Sequence, residues 1–192
     1  MLRTLVLSLG IVFGLINSIA QAEGGKPTTL VTGLKNPESI CYAANGKLYL
    51  TEIGEDGQDG DGRISVIEDG KAAAFATGLN DPKGICALKD TLFVTDKTKV
   101  MMISPQGKVS VFVDAKAFPV PPLYLNDIAI EPRSNTILVS DTGDLKGKEG
   151  KVFRINLQSK KVDLVVDSKT IPGLKMPNGV TLMARPSLSS PT

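Results

Sequence analysis

One stretch of this chain recurs, and the recurrence limits the fold more than any other feature. Gly33-Leu34-Lys35-Asn36-Pro37-Glu38-Ser39-Ile40-Cys41 leads into Gly46-Lys47-Leu48-Tyr49-Leu50-Thr51-Glu52. Gly78-Leu79-Asn80-Asp81-Pro82-Lys83-Gly84-Ile85-Cys86 leads into Thr91-Leu92-Phe93-Val94-Thr95-Asp96. A third copy joins Leu123-Tyr124-Leu125-Asn126-Asp127-Ile128 to Thr136-Ile137-Leu138-Val139-Ser140-Asp141, and a fourth opens at Gly173-Leu174-Lys175-Met176-Pro177-Asn178-Gly179-Val180. Alignment superposes Glu38, Lys83, Asn126 and Asn178, which lie 45, 43 and 52 residues apart. A repeat of that length without helical periodicity is the mark of a β-propeller blade.

Each copy holds four short half-apolar segments separated by turn residues, which predicts four strands per blade. In the first copy these are Ser39–Ala43, Lys47–Ile53, Arg63–Glu68 and Ala72–Thr77, with turns at Asn45-Gly46 and Asp69-Gly70. The expected fold is all-β: blades over 33–77, 78–121 and 122–172, and the start of another over 173–182, an incomplete six-bladed ring. Thr29–Leu34 matches Ala74–Leu79, so it reads as a stray outermost strand that latches a last blade. An arc of this kind has open blade faces and is expected to self-associate.

Residues 1–22 stand outside the repeats. Arg3 precedes a mostly apolar run, and Ala20-Gln21-Ala22 is a small-x-small cleavage site, so an export signal is expected, with a periplasmic or secreted product. The apolar run is short for a membrane anchor. Residues 183–192 carry no strand pattern and read as a disordered tail. Removing Arg3 with the signal lowers Lys plus Arg from 22 to 21 against 20 Asp plus Glu, a net charge of +1. That balance makes no electrostatic case for nucleic acid or an anionic membrane. The chain has no histidine, which excludes Ser-His-Asp and Cys-His catalysis and any His-ligated metal. Its two cysteines, Cys41 and Cys86, hold the same place in neighbouring copies. They read as two small buried hydrophobes, with a disulfide as the alternative.

Glu38, Asn126 and Asn178 each open an innermost strand and so stand at the mouth of a central channel. A carboxylate with two amide carbonyls is a hard-oxygen set suited to Ca²⁺, Mg²⁺ or Mn²⁺. The alternative is a solvated carboxylate and ordinary turn asparagines. Lys83, at the same position, would either orient an acidic substrate or weaken a metal site by repulsion, unless it simply reaches solvent. The loops Gly54–Gly62 and Thr142–Gly150 fall on the same ring face and would wall that mouth. The first is acidic but fails the EF-hand pattern, and reads as a flexible solvated loop. Glu52, Asp96 and Asp141 close each second strand, and their periodicity predicts a structural role, accepting turn amide hydrogen bonds.

The motifs Pro37-Glu38, Leu125-Asn126-Asp127 and Pro177-Asn178-Gly179-Val180, in that order, resemble the senescence marker protein/gluconolactonase family, also known through regucalcin. The resemblance covers about residues 32–182. It implies a six-bladed propeller hydrolysing sugar-type lactones with one divalent cation, Ca²⁺ first. Glu38 and Asn178 would match metal ligands, and Asn126 a residue touching substrate or metal-bound water. Lys83 departs from the family pattern, and its position alone makes it a substrate-binding candidate. The family's catalytic aspartate lies in a Ser-Asp-Gly motif beyond Pro-Asn-Gly, and no residue of this chain matches it. Propellers with NHL-type repeats share the Pro-x-Gly-Ile element. A binding module for protein or glycan, or a non-functional fragment, therefore stands as the alternative to a lactonase.

Overall fold

The computed structural model describes residues 29–182, apart from 132 and 145. The expected export signal and the expected tail lie outside the described residues. Twelve strands form three antiparallel sheets of four, each in simple sequence order. Blade one holds β1 (Pro37–Tyr42), β2 (Leu48–Glu52), β3 (Gly62–Glu68) and β4 (Lys71–Leu79). Blade two holds β5 (Pro82–Leu88), β6 (Thr91–Asp96), β7 (Lys99–Ile103) and β8 (Val109–Val113). Blade three holds β9 (Leu125–Glu131), β10 (Thr136–Asp141), β11 (Lys151–Asn156) and β12 (Val162–Asp167). The described residues form three blades of a β-propeller, as the repeats require.

Turn chemistry sets the meander. Asp69 and Gly70 both adopt positive φ (49° and 72°), the combination that lets a two-residue turn follow strand twist between β3 and β4. Gly107, at φ 80°, closes the β7–β8 turn by donating its amide to Ser104 O at 2.9 Å. Thr29–Leu34 is no strand here. A strand exists only as one side of a pair, and the three described sheets are each complete at four strands without it.

The blades stack face to face through two apolar cores. Strand alternation decides which residue serves which core. In β6, Leu92 and Val94 turn toward blade one and pack with Ile64, Leu79 and Ile85. Phe93, between them, turns toward blade three and packs with Leu125, Val139 and Phe153. Leu92 and Val94 are fully buried, and each side chain contributes roughly 2 kcal/mol by removal from water. Phe93 meets Phe112 edge-on with centroids 4.9 Å apart, a geometry that aromatic quadrupoles favour.

The innermost strands β1, β5 and β9 lie side by side. Gly84 makes this possible: a Cβ there would come within 2.6 Å of Asp127 Cα and 2.7 Å of Asn126 O. Gly62 and Gly150 play the matching part for the prolines of the following repeat. A Cβ on either would meet Pro82 Cδ at 2.5 Å or Pro177 Cδ at 2.6 Å. Cys41 and Cys86 occupy neighbouring inner strands as free thiols, the arrangement of two small apolar side chains. Burial pushes the Cys41 thiol up to about 12, and Cys86 higher still.

Candidate functional site

The site is built on the ends of the second strands. Glu52, Asp96 and Asp141 are buried and accept the amides of the segment that enters each inner strand. Lys35 N donates to Glu52 Oε2 at 2.6 Å, and Asp81 N to Asp96 Oδ1 at 2.7 Å. Tyr124 N donates to Asp141 Oδ1 at 2.8 Å. This is the structural role that their spacing predicts. Arg63 completes the first by a two-pronged bond to Glu52 at 2.8 and 2.9 Å. Burial alone would raise the Glu52 carboxyl. Arg63, the Lys35 amide and the Ser65 hydroxyl outweigh it and hold the carboxyl below its ordinary value.

One residue earlier stands a second row. Thr51, Thr95 and Ser140 are fully buried, and each hydroxyl joins two blades. Thr51 Oγ1 accepts from Ser39 N at 3.0 Å and donates to Lys83 O at 2.7 Å. Thr95 Oγ1 accepts from Gly84 N at 2.9 Å and donates to Asn126 O. Ser140 Oγ accepts from Asp127 N at 2.9 Å and donates to Asn178 O at 2.8 Å. These clamps run through the backbone of the four aligned positions and set Glu38, Lys83, Asn126 and Asn178 in one row. A threonine in a strand passes for β propensity, so only the spacing of 44 and 45 residues would have exposed the hydroxyls.

Along that row the side chains differ sharply. Those of Glu38, Asn126 and Asn178 make no hydrogen bond among the described residues, although Asn126 is only 6% exposed. The Asn126 amide atoms still reach solvent: the one buried side-chain oxygen or nitrogen without a partner among the described residues is Asp61 Oδ1. Asp127, beside it, accepts Val180 N at 2.8 Å and ties the fourth repeat to blade three. Glu38 is exposed, yet its carboxyl is raised. Partial burial is the main cause, Asp127 and Asp81 add to it, and Lys83 works against it.

Lys83 does not reach solvent. It is 8% exposed, its ammonium lies 3.2 Å from Asp81 Oδ1, and it sits 5.0 Å from the centroid of the Tyr124 ring. Tyr124 in turn donates its hydroxyl to Asp81 Oδ2 at 2.6 Å. Burial would lower the lysine, but Asp81 and Tyr124 more than offset it and keep the ammonium charged. Burial also raises the Tyr124 hydroxyl, with the Asp81 bond adding to it. Asp81 and Tyr124 hold one equivalent position of the repeat, two residues before Lys83 and Asn126, just ahead of the inner strands.

Two hollows flank this cluster. The larger, about 530 Å³, is lined by Asn36, Ile53, Asp56, Asp81, Lys83 and Tyr124. The smaller, about 220 Å³, shares Asp56, Asp81 and Tyr124 and adds Glu55, Asp59 and Lys97. The acidic loop therefore does wall the mouth. It is also tied down: Asp61 Oδ2 accepts Glu55 N at 2.8 Å, and Asp59 pairs with Lys97. Glu38 borders a third hollow of about 410 Å³ on the open side of blade one, beside Leu30, Ile40 and Leu50.

Glu38, Asn126 and Asn178 fit a hard divalent cation by donor type: one carboxylate and two amide oxygens, all without protein partners. Lys83, the nearest opposing charge, is drawn toward Asp81 and Tyr124. Among the described residues, no three His, Cys, Asp or Glu side chains gather as a metal cluster.

No protein-family profile matches the chain, and no curated protein matches it. Solved structures do match. Regucalcin of Agrobacterium tumefaciens, a calcium-binding protein, aligns at 18% identity and TM-score 0.52 over 68% of this chain and 44% of that one. Hydrazine synthase of Kuenenia stuttgartiensis aligns at 15% identity and TM-score 0.52, over 68% and 36%. A gluconolactonase of Xanthomonas campestris gives a looser match, 14% identity and TM-score 0.45, over 58% and 36%. The chain thus spans less than half the length of each. At these identities the likeness is one of fold, a β-propeller of the regucalcin type among others.

Proposed function

We propose that this chain is an exported gluconolactonase-like propeller module whose mouth binds one divalent cation, Ca²⁺ first, and a small sugar-type lactone. One observation carries the reading: three oxygen-donor side chains without protein partners, Glu38 of blade one, Asn126 of blade three and Asn178 of the fourth repeat, stand in one clamped row, with Lys83 of blade two between the first and second. The order of their motifs and the fold likeness to a calcium-binding propeller support it.

When bound, such a cation supplies Lewis-acid polarisation of a lactone carbonyl. The protein's own contribution is position. Glu38 would hold the cation with the amide oxygens of Asn126 and Asn178. The Thr51, Thr95 and Ser140 clamps fix the backbone from which those groups project. Asn126, the most buried of the three, would orient the ligand oxygen.

Calorimetric titration of the chain with Ca²⁺, Mg²⁺ and Mn²⁺ tests the reading. Near-stoichiometric heat that disappears in Glu38→Gln is the expected result. A folded chain that takes up no cation overturns it and leaves a binding module without metal.

A further inference from the structure

The cleft beside the clamped row has an electrostatic character that the row itself does not. Each cation near its wall already has a carboxylate of its own. Lys83 is held by Asp81, Lys97 by Asp59, and Lys35 by Glu55 at 3.4 Å. Asp56 lines both hollows and forms no ion pair among the described residues. Glu38 and Asp127 add negative charge from the row, near enough for Asp127 and Asp81 to raise the Glu38 carboxyl. The mouth therefore carries excess negative charge, and its deepest cation is neutralised in place.

We propose that the Asp81–Lys83 pair, with Asp56 beside it, makes this cleft a charge filter that accepts a neutral polyhydroxylated ring and turns away its carboxylate. This rests on the lactone reading above and adds to it the charge state of the ligand. Ring hydroxyls find donors and acceptors in Tyr124, Asn36, Asp56 and Asp81. A free carboxylate meets no unpaired cation among the described residues that line the cleft, and faces repulsion from Asp56.

The filter matters for turnover. In lactone hydrolysis, water oxygen bonds to the carbonyl carbon and the ring C–O bond breaks. The freed ring oxygen takes up a proton, and the new acid releases one to solvent at neutral pH. A neutral substrate thus becomes an anion beside Asp56, whose charge favours its departure from the cleft. Lys83 consequently does not serve as an anchor for an acidic substrate, the role its position in the sequence invites. Asp81 is the residue that prevents it.

The test is a binding comparison on the full chain, with chelator present so that it is read independently of any metal. Anhydroglucitol is the neutral ring probe, and gluconate the anionic one. The wild-type chain is expected to bind anhydroglucitol at least tenfold more tightly than gluconate. Asp81→Asn, which frees Lys83, should raise gluconate affinity at least tenfold, and added salt should weaken that gain. Asp81 also meets Tyr124, so Lys83→Met serves as a second variant, with circular dichroism to confirm its fold. It should still reject gluconate, and adding it to Asp81→Asn should erase the gain. Equal binding of both probes by the wild-type chain overturns the filter, as does unchanged gluconate affinity in Asp81→Asn. Binding of neither probe overturns the ligand class, while cation uptake in the separate titration would leave the metal reading standing.

Discussion

Two glutamates of blade one stand near the same end of one strand pair and live opposite lives. Glu52, paired in register with Pro37, is fully buried, and its carboxylate meets Arg63, Ser65 and the Lys35 amide. Glu38, one residue from Pro37, is exposed and meets no hydrogen-bond donor among the described residues. Burial acts on both carboxyls in the same direction, yet one is lowered and the other raised. The difference lies in the donors. A buried carboxylate surrounded by N–H and O–H groups is stabilised as an anion, whereas one facing Asp127 and Asp81 is not. The first is a structural joint. The second is a group held ready for something that is not protein.

The sharpest way to break this contrast is Glu52→Gln. It strips the charge from a buried ion pair and should destabilise the fold by about 3 kcal/mol in urea unfolding. The pH dependence carries the same signature. Because the folded carboxyl is depressed, its contribution is fully present above its unfolded value of about 4.3, and is lost as pH falls through the folded value. The variant's urea midpoint should therefore fall less steeply than the wild type's below about pH 4. Equal acid slopes would remove Glu52 from the structural row.

A smaller effect is expected at the clamps. Thr95→Val keeps shape but leaves Gly84 N and Asn126 O without their shared partner. It should cost about 2 kcal/mol and loosen the row at Asn126, seen as faster hydrogen exchange at Gly84. Glu38→Gln should have the smallest effect on stability, within about 0.5 kcal/mol. Its sign follows from the raised carboxyl, which is least comfortable when ionised, so any change at neutral pH is expected toward greater stability. A large loss there would make Glu38 a second structural joint and deprive the four aligned positions of their one carboxylate.

Much of this was legible in the repeats. Glu52, Asp96 and Asp141 announced themselves by recurring in every copy, since a device that each blade needs is written into each blade. Glu38, Lys83, Asn126 and Asn178 stood out for the opposite reason: one position, several residue types. Thr51, Thr95 and Ser140 recur just as regularly but are hidden among residues that strands favour anyway. Asp81 and Tyr124 also share one varied position of the repeat, but their contact is not legible there, because they come from different repeats and meet only when blade two packs on blade three.

The sequence by itself determined the blade, because strand alternation and turn residues act over a few neighbours and repeat with the chain. It also determined which positions would line one ring face. Only the tertiary structure decided what those positions became. Whether Lys83 is a free cation or a neutralised one depends on Asp81 and Tyr124 lying within a few ångströms, and Coulomb interactions are governed by distance in space. Whether Glu38 is a joint or an open ligand depends likewise on which donors the neighbouring strands bring to it.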